Sequence, residues 1–107
     1  MFARHVRMHL KADGRPGLVR AIDTETIPAL KKFLGFTGEI VLVSNDGKEA
    51  IGISLWDNKE HAETYNRQGY ADVLKSLENF MEGKPELQTY EVTNSTVEKI
   101  VAARKAA

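Results

Sequence analysis

Phe36-Thr37-Gly38-Glu39-Ile40-Val41-Leu42-Val43-Ser44-Asn45-Asp46-Gly47-Lys48-Glu49-Ala50-Ile51-Gly52-Ile53-Ser54-Leu55-Trp56 is the stretch that decides the fold. Asn45-Asp46-Gly47-Lys48 parts two apolar runs, Ile40 to Val43 and Ala50 to Trp56. Asp-Gly in that place predicts a hairpin turn, because both residues tolerate positive φ. Neither run carries a charge, and neither alternates cleanly between apolar and polar. Successive side chains of a strand point to opposite faces of its sheet, so both faces need cover. In a chain of 107 residues, one layer of helices covers one face. The other face is expected to meet a second copy of the protein.

Working outward, residues 2–10 alternate from His5 onward. Val6, Met8 and Leu10 share one face, and His5, Arg7 and His9 share the other, which predicts a strand with a polar, basic side. Lys11 to Gly14 form a loop. Arg15-Pro16-Gly17 opens a helix, with Pro16 in the first turn where its missing N–H costs least. That helix is expected to bury Leu18, Ile22, Leu30, Phe33 and Leu34, with Val19, Thr26 and Ile27 alongside. Pro28 falls inside it and has no N–H for the carbonyl of Thr24, so it should kink or split the helix. Gly35 ends it.

After Trp56, Asp57 followed by Glu60 predicts a helix N-cap. Ala62 and Tyr65 form a weak apolar face, and Gly69 interrupts. Tyr70, Val73, Leu74, Leu77, Phe80 and Met81 continue at helical spacing, with Gly83 and Pro85 as the stop. Leu87 to Val92 alternate as a last strand. Ser95-Thr96-Val97-Glu98 is a capping box ahead of a short helix presenting Val97, Ile100 and Val101. The order strand, helix, strand, strand, helix, strand is the α+β ferredoxin-like arrangement, a four-stranded antiparallel sheet with helices on one face. A single domain is expected over 1–107, with the core in 2–93 and a helical extension in 94–107.

Fifteen basic and fifteen acidic residues balance, which argues against a broad nucleic-acid surface. The absence of cysteine removes disulfides, thiolate nucleophiles and Cys-ligated metals. No apolar run approaches the roughly 20 residues of a membrane span. Charges stand in Met1-Phe2-Ala3-Arg4-His5 where a signal peptide needs apolar residues, so a cytoplasmic protein is expected.

Several stretches together resemble the dimeric α/β-barrel proteins related to antibiotic-biosynthesis monooxygenases. They are Ile27-Pro28-Ala29-Leu30 with Gly35-Phe36, and Ser54-Leu55-Trp56-Asp57-Asn58-Lys59-Glu60. Tyr65 with Gly69-Tyr70 and Val73-Leu74 is a third, and Gly83-Lys84-Pro85-Glu86 leading into Tyr90-Glu91-Val92 is a fourth. The likeness spans about residues 2–93. It implies a homodimer with sheets packed face to face, forming a dimeric α/β barrel, and a pocket between sheet and helices in each subunit. It also implies oxidation or isomerisation of a small aromatic or polyketide-like molecule without a tightly held cofactor. The heme-degrading branch places a Trp where Trp56 stands, a His on the following helix and an Asn in the first strand. Here Glu78 falls near the His position and the first strand has no Asn, so heme degradation is not expected. A non-catalytic dimeric ligand-binding or interaction module with the same fold is the second reading.

Five residues are candidates for a site. Trp56 shares its strand face with the small residues Ala50, Gly52 and Ser54, which leave room for a ligand or for a packed neighbour. Histidine as a residue type has a reference pKa near neutrality, so His5 is a candidate proton shuttle; the alternative is a hydrogen-bonded sheet residue. Arg7, on the same face, can hold a carboxylate or enolate oxygen, or pair with a glutamate of the next strand. Tyr65 and Glu78 are weaker pocket candidates, and Tyr65 is equally a packing aromatic. His5 and His9 lie roughly 13 Å apart on a strand at about 3.3 Å per residue, too far to share an ion, so no metal is expected. Gly14-Arg15-Pro16-Gly17 reads as a turn and not a phosphate cradle, since Pro16 removes a donor.

Overall fold

The computed structural model describes residues 1–97. Its strands are β1 (Phe2–Leu10), β2 (Phe36–Val43), β3 (Glu49–Trp56) and β4 (Met81–Glu91). They form one antiparallel sheet in the order β2-β3-β1-β4. The helices are α1 (Arg15–Ala21), α2 (Ile27–Leu30), α3 (Lys59–Gln68) and α4 (Tyr70–Leu77). This is the α+β ferredoxin-like fold, with the helices packed on one sheet face. The core lies between them: Met8, Leu10, Ala50, Trp56 and Met81 from the sheet meet Leu18, Ile22, Leu30, Tyr65, Val73 and Leu77.

The registers settle which residues share a face. Met8 opposes Ala50, Val6 opposes Gly52 and Arg4 opposes Ser54. Val41 opposes Gly52, and Glu39 opposes Ser54. Directly paired residues point the same way, so these all face the helices. Ile40, Leu42, Ile53, Leu55, His5, Arg7 and His9 face the opposite side. That side is apolar along β2 and β3, with Ile40 45% and Leu42 51% exposed.

The hairpin forms where expected, with a difference at its tip. Gly47 has φ of +73°, but Asp46 does not share a positive φ. The Gly47 N–H donates to the Ser44 carbonyl at 2.9 Å, and the Asp46 carboxylate accepts from Ser44 Oγ at 2.6 Å and the Lys48 N–H at 2.9 Å. A longer loop built on an ordinary turn needs only one left-handed residue, and glycine supplies it.

Pro28 does interrupt the first helix, one turn upstream of itself. Ile22–Thr26 form a π-helical turn between α1 and α2, in which the Ile27 N–H reaches back to the Ile22 carbonyl. Widening the turn spares the chain the hydrogen bond that proline cannot donate. Helix α2 then ends at Leu30, so Phe33 and Leu34 lie beyond it, and Leu34 is 76% exposed.

Three boundaries differ from expectation. The N-cap of α3 is Asn58, whose Oδ1 accepts from the His61 N–H at 2.9 Å. Asp57 instead takes the His61 ring nitrogen at 2.7 Å. The second helix stops at Leu77, and Met81 starts β4 by pairing with Leu10. Gly83 and Pro85 fall within β4 and not before it. They sit where its register with β1 shifts between Arg7 and His9, a bulge that an edge strand tolerates. The C-terminal helix expected from Glu98 onward lies outside the described residues; residues 94–97 carry no regular secondary structure.

Candidate functional site

Arg4 occupies the head of the helix-facing side of β1. The apolar parity of Val6, Met8 and Leu10 carries it inward, and it is only 3% exposed. Its guanidinium carbon lies 4.4 Å from the centre of the Tyr70 ring and 5.1 Å from that of Tyr65, a cation–π arrangement on two rings. Nη1 donates to Asn66 Oδ1 at 2.7 Å. Nη2 is buried with no hydrogen-bond partner. Leaving a charged donor in that state costs more than an ordinary hydrogen bond contributes. Burial lowers the Arg4 pKa, opposed by Tyr65, Tyr70 and Glu39, yet a guanidinium stays protonated at any ordinary pH.

Glu39 reaches the same space from β2. Its Oε1 lies over Gly52, where a Cβ would come within 3.2 Å of it, so the missing side chain makes room for the carboxyl. Burial pushes the Glu39 carboxyl up to about 7, against the pull of the Arg4 charge. Burial also raises the phenol pKa of Tyr65 and of Tyr70, keeping both protonated. From the π-helical turn comes Thr26, 7% exposed, its Oγ1 buried without a partner. Thr24 in the same turn behaves otherwise and donates to the Arg20 carbonyl at 2.9 Å.

These side chains enclose a cavity of about 50 Å³ between the sheet and the helices. Apart from Ser54 the rest of its wall is apolar, with Val6, Ile22, Leu30 and Val73 among the lining residues. An apolar chamber with a few converging polar groups is the usual form of a small-molecule site. Arg4 offers a fixed positive charge and a free N–H. Glu39 offers a carboxyl that changes charge near neutrality, the range in which a general base works best. Among the described residues, no cluster of three His, Asp or Glu is placed to hold a metal ion, and no helix is long and apolar enough to cross a membrane.

The five residues singled out in the sequence do not converge here. Tyr65 lines the cavity. Trp56 stands behind it, wholly buried and stacked on the Tyr65 ring at 5.2 Å, with Phe36 edge-on at 5.6 Å. Its Nε1 donates to Ser54 Oγ at 2.9 Å. Trp56 is thus a support for the wall and not the wall itself. His5 and Arg7 face away from the cavity, because the apolar parity of β1 turns its even-numbered residues toward the helices. His5 meets the edge of Tyr90 at 6.1 Å, and Arg7 pairs with Glu49 on β3, the ion pair weighed as its alternative. Glu78 is exposed in a 3₁₀ turn after α4 and lies outside the cavity lining.

Arg4, Glu39, Thr26 and Tyr70 were not among those candidates. A signal for two of them exists in the sequence. Arg4 is in phase with Val6, Met8 and Leu10, and Glu39 is in phase with Val41 and Val43. A charge in phase with the apolar side of a strand marks an inward-pointing ionisable group, which is retained only where something compensates it.

No family model matches the chain, and no curated protein matches it. Solved structures do. A monooxygenase of Streptomyces coelicolor, ActVA-Orf6, in complex with nanaomycin D, superposes with a TM-score of 0.76 at 14% identity, covering 90% of each chain. A putative antibiotic biosynthesis monooxygenase from Nitrosomonas europaea gives 0.72 at 14% identity, covering 88% of this chain and 100% of that one. SnoaB, a cofactor-independent oxygenase from Streptomyces nogalater, gives 0.67 at 14% identity, covering 91% and 97%. The fold is therefore that of the antibiotic-biosynthesis-monooxygenase-like proteins, in agreement with the resemblance carried by the residues.

Proposed function

We propose that the protein is a monooxygenase-like enzyme that oxidises a small aromatic or polyketide-like molecule without a tightly held cofactor. One observation carries the reading: a buried arginine with a free N–H opens onto an apolar chamber beside a carboxyl that ionises near pH 7. The fold shared with known monooxygenases supports it. In this reading ionised Glu39 accepts a proton from an acidic C–H or O–H of the substrate. Arg4 Nη2 holds the oxygen on which the resulting negative charge settles. The electron-rich anion gives electrons to dioxygen, a C–O bond forms, and loss of water leaves the carbonyl. A methylene, dioxygen and the substrate's own electrons thus account for one ketone and one water. The low-polarity wall strengthens the Arg4–oxyanion attraction.

His5 and Arg7 take a different place. We assign them to the open sheet face, through which two copies pair as a homodimer, with Ile40 and Leu42 as its apolar part.

Oxygen uptake with anthrone-like and quinol substrates tests the reaction. Wild-type turnover is expected, and Glu39→Gln should slow it by at least about 100-fold, the lower range for a general base. His5→Ala should leave it within a few-fold. If the wild type consumes no oxygen with any member of the panel, the catalytic reading falls, and a non-catalytic, homodimeric ligand-binding module stands in its place.

A further inference from the structure

Arg4 and Arg7 stand on opposite sides of β1, and their charges meet opposite treatment. Arg7 is exposed and pairs with the Glu49 carboxylate. Arg4 is buried, yet among the described residues no carboxylate lies within ion-pair distance of its guanidinium. Its partners are the faces of Tyr65 and Tyr70 and the side-chain amide of Asn66, all of them neutral. Nη2 has no partner. A charge this deeply buried is ordinarily paired. Asn66 is the informative neighbour. An aspartate in its place would present the same oxygen to Nη1 and would also neutralise the charge. Asn66 is exposed on α3 and lies outside the cavity lining, so no burial of its own requires it to be neutral. Glu39 is the one acidic residue that lines the cavity, and it too forms no ion pair with Arg4 among the described residues.

We infer that the cavity binds an organic monocarboxylate, with an oxygen on Arg4 Nη2 and an apolar body against the wall, and that Asn66 makes this possible by holding Arg4 without neutralising it. This goes beyond the oxygenase reading. The carboxylate takes the place on Nη2 that the reading gives to the substrate's oxyanion, so it competes with substrate and is not consumed. Charge selects a monoanion. Burial keeps the Glu39 proton in place to about pH 7. Tyr65 and Tyr70, the titratable groups that α3 and α4 bring to the lining, stay protonated. From β3 and the π-helical turn no titratable side chain reaches the lining. Below pH 7 the chamber therefore holds one positive charge, which a monoanion cancels and a dianion overturns. Val6, Ile22, Leu30 and Val73 favour an organic body over an inorganic ion. A guanidinium N–H suits a carboxylate oxygen. An anion bound beside Glu39 disfavours its ionisation, so the ligand and the Glu39 proton are held together.

Nuclear magnetic resonance titrations of the full chain test this, read at the Arg4 guanidinium and Asn66 amide signals. The probes are butyrate, its neutral counterpart butyramide, and inorganic phosphate. At pH 6 wild type should bind butyrate at least about tenfold tighter than butyramide, the lower value for a hydrogen bond to a charged group. Phosphate at the same concentration should leave both signals in place. At pH 8 butyrate should bind about tenfold weaker, because only about one-tenth of Glu39 then carries its proton. Glu39→Gln should bind butyrate equally at both pH values. Asn66→Asp should weaken butyrate at least about fivefold, the value of one net hydrogen bond, with butyramide unchanged and the amide spectrum still that of a folded chain. Butyrate binding no tighter than butyramide, an affinity flat from pH 6 to 8, a pH dependence that survives Glu39→Gln, or a full butyrate preference in folded Asn66→Asp overturns the proposal. The butyramide comparison and the pH series use wild type, so they decide it even if a variant does not fold. Butyrate binding without oxygen uptake on the anthrone and quinol panel leaves the site standing and removes the oxygenase. Oxygen uptake that butyrate does not slow, with no butyrate binding, does the reverse.

Discussion

Glu39 is a carboxyl on the wrong side of its strand by ordinary rules, and it holds its proton to about pH 7 instead of the usual 4.5. The sign of the consequence follows from that direction. Between pH 4.5 and about 7 the unfolded chain releases this proton while the folded chain keeps it. The folded state therefore loses stability as pH rises through that window, and the loss is complete above it. Thermal melts from pH 4.5 to 8 should show this fall in wild type and a flatter profile in Glu39→Gln. In the proposed reaction the same ionisation arms the base, so kcat/KM for any substrate that loses a proton to Glu39 should rise across the same window. A kcat/KM flat from pH 6 to 8 would remove Glu39 from the reaction. Arg4 and Glu39 were legible in outline, as charges in phase with apolar strand faces. Thr26 was not, because a threonine on a helix gives no sign of whether its hydroxyl is satisfied.

At the scale of elements, the end of β3 joins sheet, α3 and cavity. Trp56 is fully buried between Phe36 and Tyr65, and Tyr65 in turn lies against Arg4. Trp56→Ala should cost about 3–5 kcal/mol, the usual range for truncating a buried tryptophan. Urea unfolding would read it as a lower midpoint at unchanged slope. A loss under about 1 kcal/mol would contradict the packing described. Gly69, between α3 and α4, makes a second close approach: a Cβ there would come within 2.6 Å of the Phe33 ring. The hairpin, the N-terminal strand and both helical regions were legible because their apolar spacing is strong. Their ends were less so. Met81 suits a helix face by spacing, but its pairing with Leu10 makes it a strand residue. Asp57 and Asn58 both suit an N-cap, and the ring of His61 draws Asp57 away.

For the whole molecule, the open sheet face carries the expectation of a dimer. Two double substitutions distinguish its sides. Ile40→Lys with Leu42→Lys charges the open face and should give a folded monomer near the 11.9 kDa chain mass, against about twice that for wild type in sedimentation. Val41→Lys with Val43→Lys charges the side toward the helices, where Val41 lines the cavity, and should prevent folding. A wild type that sediments as a monomer at micromolar concentration would end the dimer proposal. Apolar periodicity and turn chemistry are local properties, and they determined the order of elements, the hairpin and the two-sided character of its strands without reference to any distant residue. Only the tertiary structure decided which side of the sheet meets the helices, since parity alone cannot say which apolar face is inside. That choice moved the candidate site from His5 and Arg7 to Arg4, Glu39 and Thr26. Cavities and unsatisfied polar atoms arise where separate elements meet, and no single stretch of sequence contains them.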